Sequence, residues 1–259
     1  MQYPPAMAAT PAGHPFGIDF GGSGIKGAPV DLASGEFAAE RTRIETPAGG
    51  RPEDVAGVVA RLVADGAPGN GPVGITVPGV VVRGVVRSAA NIDKSWIGTD
   101  AVELFTEQLD RPVVVVNDAD AAGLAEARYG AAKDQAGLVV LTTLGTGIGT
   151  ALVHEGVLVP NSELGHLEIN GKDAETQAAN SVREKKDLSW KEWAKLLSRY
   201  YHTLERLLSP DLFVVGGGVS KHGAKFLPLL EIDTPIVPAT LRNTAGIVGA
   251  AVLAAESTR

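Results

Sequence analysis

Apolar positions along the chain first recur at strand spacing. Phe16 to Phe20, Ile25 to Val30 and Phe37 to Ile44 form three short runs separated by Gly21, Gly22, Gly24 and Gly35, and they predict a three-stranded meander. The period then changes. From Pro52 onward Val55, Val58, Val59, Leu62 and Val63 repeat at helical spacing, with Gly66 as a stop. Val73 to Val77 predicts a buried strand, Val80 to Val86 a hairpin around Gly84, and Val102, Leu104, Phe105 and Leu109 one face of a helix. Val113 to Val116 places four β-branched residues in a row, which predicts a central strand covered on both faces, followed by a helix over Ala119 to Tyr129.

A similar order then begins again. Leu138 to Leu141 and Ile148 to Val153 read as strands around a turn at Gly145 to Gly149, with a further strand at Val157 to Val159. Ser189 with Glu192 predicts a capping box for a strongly amphipathic helix bearing Trp193, Leu196, Leu197, Tyr200, Leu204 and Leu207, and Pro210 stops it. Leu212 to Val215 runs into Gly216, Gly217 and Gly218, and Ala245 to Ala255 reads as a last packed helix. The segments Asp19–Gly27 and Leu144–Ala151 each set a glycine turn between two strands at equivalent points of two β-rich units, the mark of an internal duplication.

Composition narrows the class. With 259 residues, 44% hydrophobic and 20% charged, the chain has the size of two packed lobes or one large α/β unit. A formal charge of −7 argues against nucleic acid as a partner. The absence of cysteine excludes disulfides, a thiol nucleophile and thiolate zinc sites. Ala136 to Val153 is free of charge, but four glycines and four threonines interrupt it, so two strands are expected there and no membrane span. Residues 1–14 lack the basic and apolar blocks of a leader and read as a flexible tail, and the cytoplasm is the default compartment.

Three constellations could carry chemistry. Gly21, Gly22, Gly24 and Gly27 let a polyanion approach main-chain N–H groups, with Ser23 and Lys26 as added donors; the alternative is a plain hairpin. It is neither a Walker loop nor a dinucleotide fingerprint, since no Gly-Lys-Ser/Thr follows and the next element is a strand. The companion turn at Gly145, Thr146, Gly147 and Gly149 repeats the device. Asn117-Asp118 closes a strand just before a helix, where side chains can project into a crevice or can simply cap; Asp120 in the same turn could take the cap and free Asp118 as a base. Glu163 and His166 sit three apart in a loop, and with Asn91, Asn117, Asp118 and Glu175 they offer the mixed donors and acceptors a polyhydroxylated ligand needs, more than a metal pair.

Taken together these segments resemble the sugar kinases of the ROK family from Phe16 to the last helix. Asp19-Phe-Gly-Gly-Ser-Gly-Ile-Lys-Gly is similar to the family's first phosphate motif, Asn117-Asp118 to its sugar-binding and catalytic pair, Leu144-Gly-Thr-Gly-Ile-Gly to its second phosphate motif, and Glu163-Leu-Gly-His166 to its Glu-x-Gly-His; Gly216 to Gly218 falls where the family places the turn under the adenosine. The resemblance implies an α/β fold of the duplicated actin-like (ribonuclease-H-like) ATPase type, two lobes around a cleft: a small domain over 15–117 completed by a C-terminal helix at 243–259, and a large one over 118–242. Most members follow Glu-x-Gly-His with a cysteine-rich zinc motif, and Leu167 to Ser181 has no cysteine, so no zinc and no resident metal site are expected. Glu175 with Ala178-Ala179 keeps the spacing of the sugar-binding glutamate that ends that motif. The zinc-free form, with Asp173-Ala-Glu175 and Ser189-Trp-Lys-Glu-Trp193, resembles the polyphosphate glucokinase group.

What the resemblance implies is phosphoryl transfer from polyphosphate or ATP to the 6-hydroxyl of glucose, and of mannose as well. Asp118 would be the general base, and Asn91, Asn117, Glu163, His166 and Glu175 would orient the hexose. Asp19 would place the magnesium ion (Mg2+) that comes with the donor or its waters, while Gly21, Gly22, Ser23, Gly24, Lys26, Thr146, Gly147, Gly217 and Gly218 would hold phosphate or nucleotide. A homodimer is the family expectation. Arg183, Lys185, Lys186, Lys191, Lys195 and Arg199 form either a track for polyphosphate or a solvated helix face. The competing readings are an ATP-only hexokinase of the family acting on another hexose and a non-catalytic sugar-binding protein. A regulator of the family would need a DNA-binding domain ahead of Asp19, for which the residues before Phe16 are too few.

Overall fold

The computed structural model describes residues 13–67 and 70–257. The expected tail at 1–14 therefore lies, except for Gly13 and His14, outside the described residues, as do the last two residues of the C-terminal segment. The chain opens with β1 (Phe16–Gly21), β2 (Gly24–Asp31), β3 (Glu36–Phe37) and β4 (Thr42–Ile44), then α1 (Pro52–Gly66) and β5 (Val73–Val77). The hairpin β6 (Val81–Val82) and β7 (Val85–Val86) and helix α2 (Ala101–Leu109) lead to β8 (Val113–Asn117) and α3 (Asp118–Tyr129). A second set follows: β9 (Leu138–Leu144), β10 (Ile148–His154), β11 (Val157–Val159), β12 (Glu168–Ile169), β13 (Lys172–Asp173), α4 (Glu175–Ala178), α5 (Asn180–Lys185), α6 (Trp190–Leu208), β14 (Leu212–Gly216), β15 (Ile236–Pro238) and α7 (Ala245–Ser257).

The duplication is visible in the pairing. One sheet has the order β3-β2-β1-β5-β8, the other β11-β10-β9-β14-β15. In each, an antiparallel hairpin (β1 with β2, β9 with β10) is extended by two parallel strands (β5 and β8, β14 and β15). Parallel strands must be joined by crossovers, and these come from helices whose ends the sequence marks well. Pro52 opens α1, Asp100 accepts from Glu103 N–H at the start of α2, and Ser189 and Glu192 form a full capping box on α6. Ser209 in the left-handed region and Pro210 end α6.

Two expectations need correction. The run Phe37 to Ile44 is not one strand: β3 and β4 pair separately with opposite ends of β2, because residues 38–43 are exposed and bury nothing that would hold them flat. The valine run of β8 is not central either. It pairs only with β5 among the described residues, and its side chains are covered by α2 and α7, so β-branching there reports burial and not strand order.

Helix α7 returns to the first sheet and lies on β1 and β5 while also packing along α3. Its composition explains how. A Cβ on Gly17 or Gly74 would overlap the α7 main chain at Ile247 and Ala250, and one on Gly249 would overlap Ala121 of α3, so these elements meet backbone to backbone. Small residues leave α3 little room to shift, and α3 carries the start of the candidate site at its first turn. On the other side of the first sheet Phe20, Trp96 and Phe105 stack in series, with ring centroids 5.5 and 6.0 Å apart, and the buried Trp96 donates through Nε1 to Gly50 O at 2.8 Å.

Candidate active site

The parallel strands of the first sheet end level with one another. Asp19 of β1 is opposite Thr76 of β5, and Val77 is opposite Asn117 of β8. Asp19 is held from two sides, by Thr76 Oγ1 (3.3 Å to Oδ1) and Lys26 Nζ (3.1 Å to Oδ2). At the end of β8 it is Asn117 that caps α3, accepting from Ala119 N–H (2.8 Å) and Asp120 N–H (3.1 Å) and donating through Nδ2 to Gly79 O (3.1 Å). The cap expected of Asp120 is therefore corrected. Asp120 is buried, accepts from Asn161 N–H at 2.7 Å through Oδ2, and has no partner on Oδ1 among the described residues.

With the cap supplied next door, Asp118 accepts main-chain N–H bonds from its own first turn, that of Ala119 at 2.9 Å, and no side-chain donor among the described residues. Its side chain is exposed to water yet crowded by protein, a combination that describes the floor of an open cleft. That crowding, reinforced by the negative charges of Asp19 and Glu163, lifts its pKa to about 6. Asp118, Asp19 and Glu163 thus share one field although they come from three segments.

Glu163 reaches that field because its loop is clamped. Asn161 exchanges two hydrogen bonds with the main chain of Val81 (3.0 and 2.9 Å), and Thr150 Oγ1 donates to Ser162 O (2.6 Å) while accepting from Leu164 N–H (3.1 Å). His166 follows one helical turn later, with Nδ1 3.1 Å from Asp173 and 3.9 Å from Glu175, and Nε2 3.7 Å from Glu163. The Asp173 contact, with the carboxylates of Glu175 and Glu163, raises the His166 pKa, whereas desolvation raises that of Glu163 against the opposing pull of His166. Glu175 in turn accepts from Ile148 N–H (3.1 Å) and abuts Gly147, where a Cβ would collide with its carboxylate. The Glu163, His166 and Glu175 group is therefore joined physically to the second glycine turn.

That turn is closed by Gly145 N–H on Gly147 O (3.0 Å) and braced by Ser181, which donates its N–H to Gly145 O (3.0 Å) and its hydroxyl to Thr146 O (2.7 Å). Gly217 lies beside it, since Gly216 pairs with Thr143 and a Cβ on Gly217 would sit 2.6 Å from Leu144 O; Gly218 faces open space. The first hairpin projects its tip, Gly22 and Ser23, into solvent. Asn91, in the left-handed region at φ 61°, packs its main chain on Gly22, beside the tip of the first hairpin.

The basic residues divide. Arg183 is committed to structure, with Cζ 4.3 Å over the Trp190 ring and Nε donating to Asn180 (3.1 Å). Lys185 and Lys186 line a cavity of about 340 Å³ together with Thr146, Glu175 and Ser181, and Lys191, Lys195 and Arg199 are exposed on α6. Sequence reasoning missed Thr76, Thr46 and Arg43: Thr46 Oγ1 donates to Gly21 O (2.5 Å), and Arg43 Nη2 donates to Ser23 O (2.8 Å). Only the register of β4 on β2 brings the last two to the hairpin.

Among the described residues no group of three or more His, Cys, Asp and Glu side chains is arranged to hold a metal. The donor set still fits a hard ion such as Mg2+, which binds through one or two carboxylates plus phosphate oxygens and water. Asp19 and Asp118, both at the strand ends of the first sheet, repel one another, and a divalent cation would relieve that repulsion.

The family model described as "ROK family" matches residues 15–180. The polyphosphate glucokinase of Mycobacterium tuberculosis is 53% identical over 251 residues, covering 96% of this chain and 94% of that protein. The crystal structure of inorganic polyphosphate/ATP-glucomannokinase from Arthrobacter sp. strain KM superposes with a TM-score of 0.88 at 56% identity over 95% of this chain and 99% of that one. A ROK family glucokinase from Streptomyces griseus, solved with glucose and AMPPNP, gives a TM-score of 0.77 at 25% identity over 95% of this chain and all of that one.

Proposed function

The chain belongs to the ROK family, and from that premise we propose that it is a kinase that phosphorylates glucose, drawing the phosphoryl group from polyphosphate or ATP. The fold is the actin-like one of the family's sugar kinases. The observation that carries the chemistry is the placement of Asp118: a carboxylate open to water at the end of β8, with no cation paired to it among the described residues, in the common field of Asp19 and Glu163.

Asp118 accepts the proton of the 6-hydroxyl as that oxygen attacks the terminal phosphorus of the donor, and the bond from that phosphorus to the bridging oxygen breaks. The products are the sugar 6-phosphate and a donor shorter by one phosphoryl group. A carboxyl with a pKa of about 6 is ionised at neutral pH and is a stronger base than an ordinary aspartate. Glu163, His166 and Glu175 present acceptors and a donor to the sugar hydroxyls, with Asn117 Nδ2 keeping one N–H beyond its bond to Gly79. Thr146, Gly147, Gly217 and Gly218 hold the donor on the second sheet, and Gly21 to Gly24 on the first. Mg2+, when bound, would neutralise phosphate charge, and Asp19 would hold it directly or through water. The same site is proposed to admit mannose, and the active form to be a cytoplasmic homodimer.

The test is an assay of the purified protein with glucose and mannose, each against ATP and against polyphosphate. Formation of sugar 6-phosphate from glucose with either donor is expected; turnover of neither sugar with either donor would reject the reading.

A further inference from the structure

Register places three charged residues in one row across the first sheet. Asp19 is opposite Lys26, and Lys26 is opposite Arg43, so the three side chains leave the same face of three adjacent strands. Lys26 is neutralised by Asp19 at 3.1 Å. Arg43 forms no ion pair among the described residues, and it is exposed at the hairpin tip. It lies two strand spacings from Asp19, roughly 10 Å.

Its guanidinium is seated by the hairpin itself. One Nη2–H donates to Ser23 O, and the group fills the space a side chain at Gly24 would need, 2.7 to 2.9 Å from where the Cβ would be. Four N–H donors remain for another ligand. A purely mechanical clamp would not need the charge, because the uncharged Thr46 already ties the same turn through Gly21 O. A planar, permanently charged fork beside bare main chain matches the paired oxygens of phosphoryl groups better than a lysine does.

We propose that Arg43 binds the donor, contacting phosphoryl groups beyond the one transferred, and that polyphosphate depends on it more than ATP does. The inference rests on the kinase reading above. The distance from Asp19 puts the contact away from the reacting phosphorus, so it acts on donor affinity and not on the chemical step. ATP carries an adenosine that the Gly217 and Gly218 turn can hold, whereas polyphosphate offers only more phosphate.

The experiment compares Arg43→Gln, which can keep the bond to Ser23 O without the charge, with Arg43→Lys, which keeps the charge without the fork. Loss of one charge-assisted contact is expected to raise the polyphosphate KM about tenfold in Arg43→Gln, the ATP KM by a smaller factor, and to leave kcat and the glucose KM unchanged; Arg43→Lys should recover part of the loss. Equal donor KM values in Arg43→Gln and the parent protein would overturn the proposal and leave the kinase reading intact. If the parent protein fails to phosphorylate glucose, the kinase reading falls. Arg43 is then judged by calorimetric titration with polyphosphate, where weaker binding by Arg43→Gln supports its role and unchanged binding refutes it.

Discussion

Replacing Asp118 by Asn tests the base assignment with little collateral damage. The substitution is isosteric, and the amide oxygen can still accept from Ala119 N–H. The capping of α3 is untouched, because Asn117 supplies it. No cation loses its partner, and repulsion with Asp19 and Glu163 is removed, so the variant should fold at least as well as its parent. What disappears is the proton acceptor. General-base catalysis contributes roughly 10²- to 10⁴-fold, or about 3 to 5.5 kcal/mol of barrier. The assay is initial-rate formation of glucose 6-phosphate from pH 5 to 8 at saturating donor. In the parent, activity should fall as pH drops through about 6, where Asp118 takes up a proton, whereas Asp118→Asn should show kcat reduced at least a hundredfold, a glucose KM within a few-fold of the parent and no limb near 6. A variant that keeps more than a tenth of the turnover, or that retains the acid limb, would refute the assignment.

Asp120 gives a separate stability prediction. Burial holds its carboxyl at about 7 where an unfolded chain would have it near 3.8, so the folded protein binds the proton more tightly and loses stability as pH rises from about 4 through 7, by at most about 4 kcal/mol. Asp120→Asn should raise the melting temperature at pH 8 and raise it by only about a third as much at pH 5; no difference between the two pH values would count against this. Truncating His166 to Ala should raise the glucose KM several-fold with a smaller effect on the donor KM, and an unchanged glucose KM would remove it from the sugar site. Reversing Lys185 and Lys186 to Glu, beside Thr146, should weaken polyphosphate use more than ATP use and flatten its dependence on salt; equal effects on both donors would leave these lysines as a solvated face.

Much of this architecture could be read from the chain because strong periodicity and turn chemistry act locally. The helices over 52–66, 190–208 and 245–257 are framed by Pro52, by Ser189 with Glu192, and by an unbroken apolar stretch, none of which needs knowledge of a partner element. What escaped depends on distant contacts. The valines of β8 are equally compatible with a middle or an outer strand until α2 and α7 are in place. The short hairpin of β12 and β13 and the helix α4 have almost no hydrophobic period, and they are fixed by side chains such as Gln177, which donates to Ile169 O and Lys172 O. The site behaved in the same way. Asp118 and the glycine turns carry their own sequence signature, whereas Arg43, Thr46 and Thr76 acquire meaning only through strand register.

The shared cleft can be examined directly by a crystal structure of the protein with glucose and a non-transferable donor analogue. The 6-hydroxyl is expected within hydrogen-bond reach of the Asp118 carboxylate, ~2.6 to 3.2 Å, with the donor's terminal phosphorus beyond it and its chain cradled by the turns at Gly22 and Gly147. A sugar bound away from Asp118, or presenting a different hydroxyl to it, would contradict the account.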